Sequence, residues 1–200
     1  FSHNRQVVYS DDKYQDFLIK TSSDNLLVIE AKMTNVNAKA MENIDFDAFR
    51  KEIEDNFLSK KEASGKNKGV YQILHQLKQI SDNANHDELS DILKIKNIKR
   101  LNIYPILLTS DTNYNVFGTN AFVNEKCSAD FAEIREKYQT VKPVLVLNVN
   151  TLIKYFGYFK RNKNNFTDLI KGYFKEIDRQ KKQYHSDKDD IYSYLAASIS

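Results

Sequence analysis

The stretch Gln15-Asp16-Phe17-Leu18-Ile19-Lys20, then Thr21-Ser22-Ser23-Asp24, then Asn25-Leu26-Leu27-Val28-Ile29-Glu30-Ala31-Lys32, decides how this chain folds. Two apolar runs flank a short polar turn, the pattern of a β-hairpin. The second run is apolar on both faces, with Leu27, Ile29 and Ala31 on one side and Leu26 and Val28 on the other. Such a strand belongs in the middle of a sheet covered by helices on both sides. With Lys20 opposite Leu26, Asp16 falls opposite Glu30, and Lys32 shares their face because residues two apart on a strand point the same way. A slip of one residue would turn Asp16 to the other side.

Charged groups at the end of a buried strand are costly to desolvate, so two carboxylates and an ammonium converging there call for a chemical role. Hard divalent cations such as Mg²⁺ take oxygen ligands from one or two carboxylates. A bound cation offsets charge on phosphoryl oxygens and makes water more acidic, and a compact ammonium suits contact with water and phosphate.

The Asp16 and Glu30-Ala31-Lys32 pair resembles the signature of the PD-(D/E)XK nuclease superfamily, the restriction-endonuclease-like fold: an Asp, a spacer, then Glu-x-Lys ending a buried strand. Many members follow with a helix carrying a Gln, and Lys68-Gly69-Val70-Tyr71-Gln72-Ile73-Leu74 is similar to that helix, with Gln72 at the matching position. The resemblance implies Asp16 and Glu30 as metal ligands, the main-chain carbonyl of Ala31 as a further ligand, Lys32 as the catalytic lysine and Gln72 as a supporting residue. It also implies Mg²⁺, with Mn²⁺ able to substitute, and a nucleic-acid substrate, DNA in the first instance. Gln15 stands where the family often has Pro, and the family's first helix has no obvious place before Gln6, so either it precedes this sequence or the site is completed differently.

Composition fits this reading without requiring it. The chain has 200 residues, 41% hydrophobic and 28% charged, which is ordinary for a soluble globular protein. A net charge of +3 accommodates a polyanion only if the basic residues cluster. A single cysteine, Cys127, excludes an internal disulfide framework and a cysteine-based zinc cluster, and fits a cytoplasmic protein. No run approaches the roughly 18 apolar residues of a membrane span, and the first residues lack the apolar core of a signal peptide.

Further along, Gln6 to Tyr9 reads as a short strand. Helical spacing runs from Ile44 to Ala63, with Asp45 or Asn43 as N-cap and Ser64-Gly65 as stop. A second helix is expected from Lys68 to Ser81 and a short one from Glu88 to Lys96. Leu101 to Leu108 reads as a strand, where Pro105 argues for an edge position or a bulge. Asn120 to Tyr138 reads as a helix broken near Cys127-Ser128, Pro143 to Val149 as a strand, and Thr151 to Phe159 and Phe166 to Tyr184 as helices. The expected architecture is α/β: a central mixed sheet flanked by helices, with residues 1–150 as the core and 151–200 as a helical C-terminal extension packed on the same domain.

Each candidate has a plainer alternative. Asp16 can be a solvated strand-entry residue, Glu30 and Lys32 a surface ion pair worth under about 1 kcal/mol, and Gln72 an exposed helix residue. Asp24 suits the hairpin turn and Asp111 a cap after its strand. His3, His75, His86 and His185 form no pair at metal-ligand spacing, though His75 lies one turn from Gln72. Near the C-terminus Tyr155, Phe156, Tyr158, Phe159, Tyr173 and Phe174 are interleaved with Lys154, Lys160, Arg161, Lys163, Lys171 and Lys175, which reads either as a nucleic-acid grip or as an amphipathic helix with aromatic core residues and snorkelling lysines. Binding of nucleic acid without turnover, or a protein-interaction role, are the rival functions. Oligomeric state stays open; a symmetric cut of both strands would call for a homodimer.

Overall fold

A computed structural model describes residues 7–9, 16–37, 45–60, 67–83, 93–95, 97–116, 118–161 and 165–184. The hairpin forms as the apolar alternation requires. Strand β1 (Val7–Tyr9) pairs antiparallel with β2 (Phe17–Lys20), and β2 pairs antiparallel with β3 (Asn25–Lys32) with Lys20 opposite Leu26 and Phe17 opposite Ile29. Continued by one residue, that register sets Asp16 opposite Glu30.

Beyond β3 the sheet turns parallel. Strand β4 (Asn102–Thr109) runs beside β3, and β5 (Thr140–Val141) and β6 (Leu145–Asn148) both lie parallel to β4 on its far side. The result is a six-stranded mixed sheet flanked by helices, an α/β fold.

Pro105 is not at an edge, but it does mark an irregularity: the register against β4 slips by one residue between β5 and β6. The proline lies inside β4, which is an internal strand, opposite Val28 of β3. Lys142 N–H donates to Ile103 O, so the odd-numbered backbone groups of β4 face β5 and β6. Pro105, which has no N–H, therefore points at the break between Val141 and Leu145, where β5 has ended and β6 has not begun. The missing donor falls where no ladder bond is needed.

Helix α1 (Phe46–Phe57) starts at Asp45, whose carboxylate accepts from the N–H groups of Asp47 and Ala48. It ends before the Ser64-Gly65 stop that the sequence suggests, and residues 61–66 lie outside the described ones. Lys68 N–H donates to Ser59 O, folding the chain back so that Gly69 meets the end of α1. Gly69 has φ +56°, and a Cβ there would lie 2.5 Å from the carbonyl oxygen of Phe57. Both the left-handed backbone and the close approach require glycine.

Helix α2 (Val70–Asn83) follows at once. The helix expected over 88–96 falls largely outside the described residues; Leu93 and Lys94 form a turn. The break near Cys127 occurs as read, between α3 (Thr119–Cys127) and α4 (Ala132–Arg135). After β6 come α5 (Val149–Lys154), α6 (Phe156–Arg161) and α7 (Asn165–Tyr184).

The sheet carries apolar packing on both faces, as the two-sided pattern of β3 demands. Leu18, Leu26, Val28 and Leu107 pack with Ile53 and Phe57 of α1 and Ile73 and Leu77 of α2. On the opposite face Leu27, Ile29, Tyr104 and Leu145 pack against Ile170 of α7. The free edge of β6 is covered by side chains rather than a strand. Asn120 exchanges hydrogen bonds with the N–H and C=O of Val146, and Asn124 does the same with Val144. Two asparagines one helical turn apart thus stand in for a seventh strand and block edge pairing. Among the described residues no helix is long and apolar enough to cross a membrane.

Candidate active site

The site lies at the rim where β3, β4 and β6 all end. Because these strands run parallel, their C-terminal ends open the same edge of the sheet, the usual place for ligands in α/β proteins. Glu30 and Lys32 share the face of Leu26 and Val28, so they look toward α1 and α2.

Glu30 is only 4% exposed. Lys32 Nζ donates to Glu30 Oε1 at 2.9 Å and also to Gln72 Oε1 on α2. That same Gln72 oxygen accepts the N–H of Gly69 at 2.9 Å, so the side chain caps its own helix while holding the lysine. Asp16 stands just before β2, and its Oδ2 accepts the main-chain N–H of Ala31 at 2.7 Å. The Asp16 carboxylate therefore closes the end of the β2–β3 ladder, on the side to which the Ala31 carbonyl also points in an antiparallel pair. Among the described residues each carboxylate commits one oxygen to these contacts.

Burial pushes the Glu30 carboxyl above the ordinary carboxylate range; the hydrogen bond and charge of Lys32 oppose this, and the negative charge of Asp16 adds to it. The influence of Asp16 on Glu30 places the two acids within electrostatic reach. All four residues singled out in the sequence, with Ala31, thus meet at one rim.

The structure adds residues that sequence patterning did not single out. Gly69 sets the start of α2 and hence the position of Gln72; its glycine directly before a helical run was the available signal. Thr109 and Asn148 lie in register beside Lys32 on successive strands. Both are buried, and Thr109 Oγ1 and Asn148 Nδ2 have no hydrogen-bond partner among the described residues. Nothing in the sequence distinguishes them from ordinary strand-end residues.

Other candidates take plainer roles. Asp24 sits in the hairpin turn, where its carbonyl accepts from Asn102 N–H. Asp111 caps a short 3-10 turn by accepting from Asn113 N–H, and its other oxygen anchors Val36 N–H. His75 is exposed and lines a surface cleft with Lys60, Tyr71, Lys78 and Asp130. His3, His86 and His185 lie outside the described residues. Cys127 is buried, and burial pushes its thiol up to about 11, which removes it as a nucleophile at neutral pH.

The donors available to a cation are carboxylate and carbonyl oxygens, a set suited to Mg²⁺ or Mn²⁺ and not to soft metals. Among the described residues no group of three or more His, Cys, Asp or Glu is placed to hold a metal ion. A site of two acids and one main-chain carbonyl does not require such a group. Compared with models of protein families, with curated proteins and with solved structures, the chain matches none.

Proposed function

We propose that this rim hydrolyses phosphodiester bonds in a nucleic acid, DNA in the first instance, with the help of a divalent cation. One observation carries the reading: a lysine ammonium is held between a buried carboxylate and a helix-borne amide at the end of a central strand, while a second carboxylate docks on the same strand's backbone. Asp16, Glu30 and the Ala31 carbonyl would hold Mg²⁺ or Mn²⁺. When bound, the cation would supply Lewis acidity toward the phosphoryl oxygens and the attacking water.

The chain's own groups account for the rest. Lys32 is fixed in direction by Glu30 and Gln72, and its third N–H can meet a phosphate oxygen or a water. A pre-aimed ammonium avoids reorganisation as negative charge grows on phosphorus-bound oxygen. The buried Glu30 favours the approach of a cation, because pairing relieves the cost of keeping that carboxylate ionised out of water. A cytoplasmic location accords with the lone reduced cysteine.

Plasmid, single-stranded DNA and RNA substrates incubated with Mg²⁺, Mn²⁺ or EDTA test the proposal, with Lys32→Ala and Glu30→Ala purified in parallel. The expected result is metal-dependent cleavage that both substitutions abolish. Equal activity in wild type and both variants, or binding with no cleavage under any metal, overturns it.

A further inference from the structure

Helices α5 and α6 leave the sheet at the same rim. Asn148 ends β6 in register with Thr109 and Lys32, and its Oδ1 accepts from Asn150 N–H to start α5. The first turn of α5 is thus two strand spacings, roughly 10 Å, from the strand that carries Lys32. A chain lying along the rim from the acids would next meet α5 and α6.

That surface has an unusual composition. Of nine large hydrophobic side chains that are exposed among the described residues, six lie between Ile153 and Tyr173, including Tyr155, Phe156, Tyr158 and Leu169. Phe156 is 64% exposed and Ile153 68%. Rings left in water at this density mark an interaction site. The same stretch of sequence is also rich in basic residues. Residues 149–184 hold nine Lys or Arg against three Asp or Glu, whereas the whole chain holds 30 against 27, so the remainder is net negative.

The local geometry suits flat rings. A cleft of about 520 Å³ opens between Tyr158 of α6 and Asp168, Leu169, Gly172 and Tyr173 of α7. A Cβ on Gly172 or on Gly157 would meet nothing within 4 Å, so both positions leave open space beside aromatic neighbours. Tyr173 is held in place, since its hydroxyl accepts from Asn120, which is itself bound to the backbone of β6. Lys154 lies over the Tyr155 ring at 5.5 Å, joining a cation to an exposed ring.

We propose that the aromatic and basic surface of α5, α6 and the first half of α7 grips a single-stranded stretch of nucleic acid by base stacking and phosphate contact. This deepens the reading given under the proposed function, on which it rests for the identity of the bound polymer as substrate. Exposed rings interleaved with cations are what unpaired bases on a charged backbone need, whereas duplex bases are already stacked on one another. A membrane surface fits less well. Ile170 of α7 is buried against the sheet, with Phe166 and Phe174 packed around it, so these apolar residues of α7 are turned to the core and not to lipid.

Fluorescence anisotropy in EDTA, at several salt concentrations, tests this on the full chain with labelled single-stranded oligonucleotides, matched duplexes, and vesicles of phosphatidylcholine with phosphatidylserine. Wild type should prefer the single strand, with affinity falling steeply as salt rises. The double variant Tyr155→Ala/Phe156→Ala should weaken that binding by about tenfold or more with its melting temperature unchanged, since both rings are exposed. Lys154→Glu should weaken it and flatten the salt dependence. The catalytic substitutions Lys32→Ala and Glu30→Ala should still bind. Strand binding that survives in all variants, a preference for duplex, or capture by vesicles instead overturns the inference. Single-strand binding that the ring substitutions remove, in a protein that never cleaves, would sink the hydrolase reading and leave this one standing.

Discussion

Lys32 Nζ donates to Oε1 of Gln72, forty residues further along the chain, and the same oxygen accepts the N–H of Gly69. One amide oxygen thus joins the start of α2 to the end of β3. The direction of the lysine side chain depends on where a helix begins.

Replacing Gln72 with Ala should therefore act on both function and stability. Lys32 loses one of its two acceptors, and Gly69 N–H loses its partner. Urea denaturation should show a loss of about 1–3 kcal/mol. Cleavage should fall by about tenfold or more through kcat, because a misdirected ammonium costs rate more than affinity. Gln72→Glu, which keeps an acceptor oxygen at the same reach, should recover most of both losses. Failure of the conservative variant to recover activity would remove Gln72 from the positioning role.

Gly69→Ala should be worse for stability than its small size suggests. The substitution forces an L side chain into a positive φ, at about 1–2 kcal/mol, and drives its Cβ into the backbone of Phe57. A total loss above about 2 kcal/mol is expected, measured by chemical denaturation, with reduced cleavage because Gln72 shifts along with α2. The exposed neighbour Lys68→Ala should leave both readouts near wild type.

The raised pKa of Glu30 gives a pH signature. A carboxyl whose native value exceeds its unfolded one binds protons more tightly when folded. Stability is then lost as pH rises from the ordinary value of 4.5 through the raised native value. Glu30→Gln lacks that titration, so its melting temperature should gain on wild type across this window when no metal is present. Adding Mg²⁺ or Mn²⁺ at neutral pH should reverse the order. A cation bound only by the folded state adds about 2.7 kcal/mol at a hundredfold excess over its Kd. Thermal melts of wild type, Asp16→Asn and Glu30→Gln with and without metal check both halves. A metal shift retained in the two variants would place the cation elsewhere.

Asn120→Ala tests the cover on the sheet edge. It leaves the N–H and C=O of Val146 without their partners and releases the hydroxyl of Tyr173. About 2–4 kcal/mol of stability should be lost, since buried backbone groups lose their hydrogen bonds. Single-strand binding should weaken as well, because Tyr173 is no longer held. Native-state hydrogen exchange should show β6 opening first.

Local pattern carried the sheet's central hairpin. The alternation from Leu26 to Ala31 fixes which residues face which layer, and the turn between Lys20 and Leu26 fixes the register, so Asp16, Glu30 and Lys32 could be assigned to one rim. For Pro105 the edge alternative fails and the bulge alternative holds, because what its missing N–H costs depends on the chain that lies opposite its nitrogen. What lies there is the gap between β5 and β6, nearly forty residues later. The end of α1 was misjudged for a similar reason: Gly69 closes on Phe57 across a segment whose path no periodicity describes.

The sequence by itself determined the α/β class, the hairpin and the acids and lysine at its ends, because side-chain alternation and turn chemistry act over a few residues. Only the tertiary structure decided that Gln72 holds Lys32, that Asp16 docks on Ala31, and that α5 leaves the sheet in line with the same rim. Those relationships are set by strand order and by the packing of distant elements, where the governing interactions have no signature in local spacing.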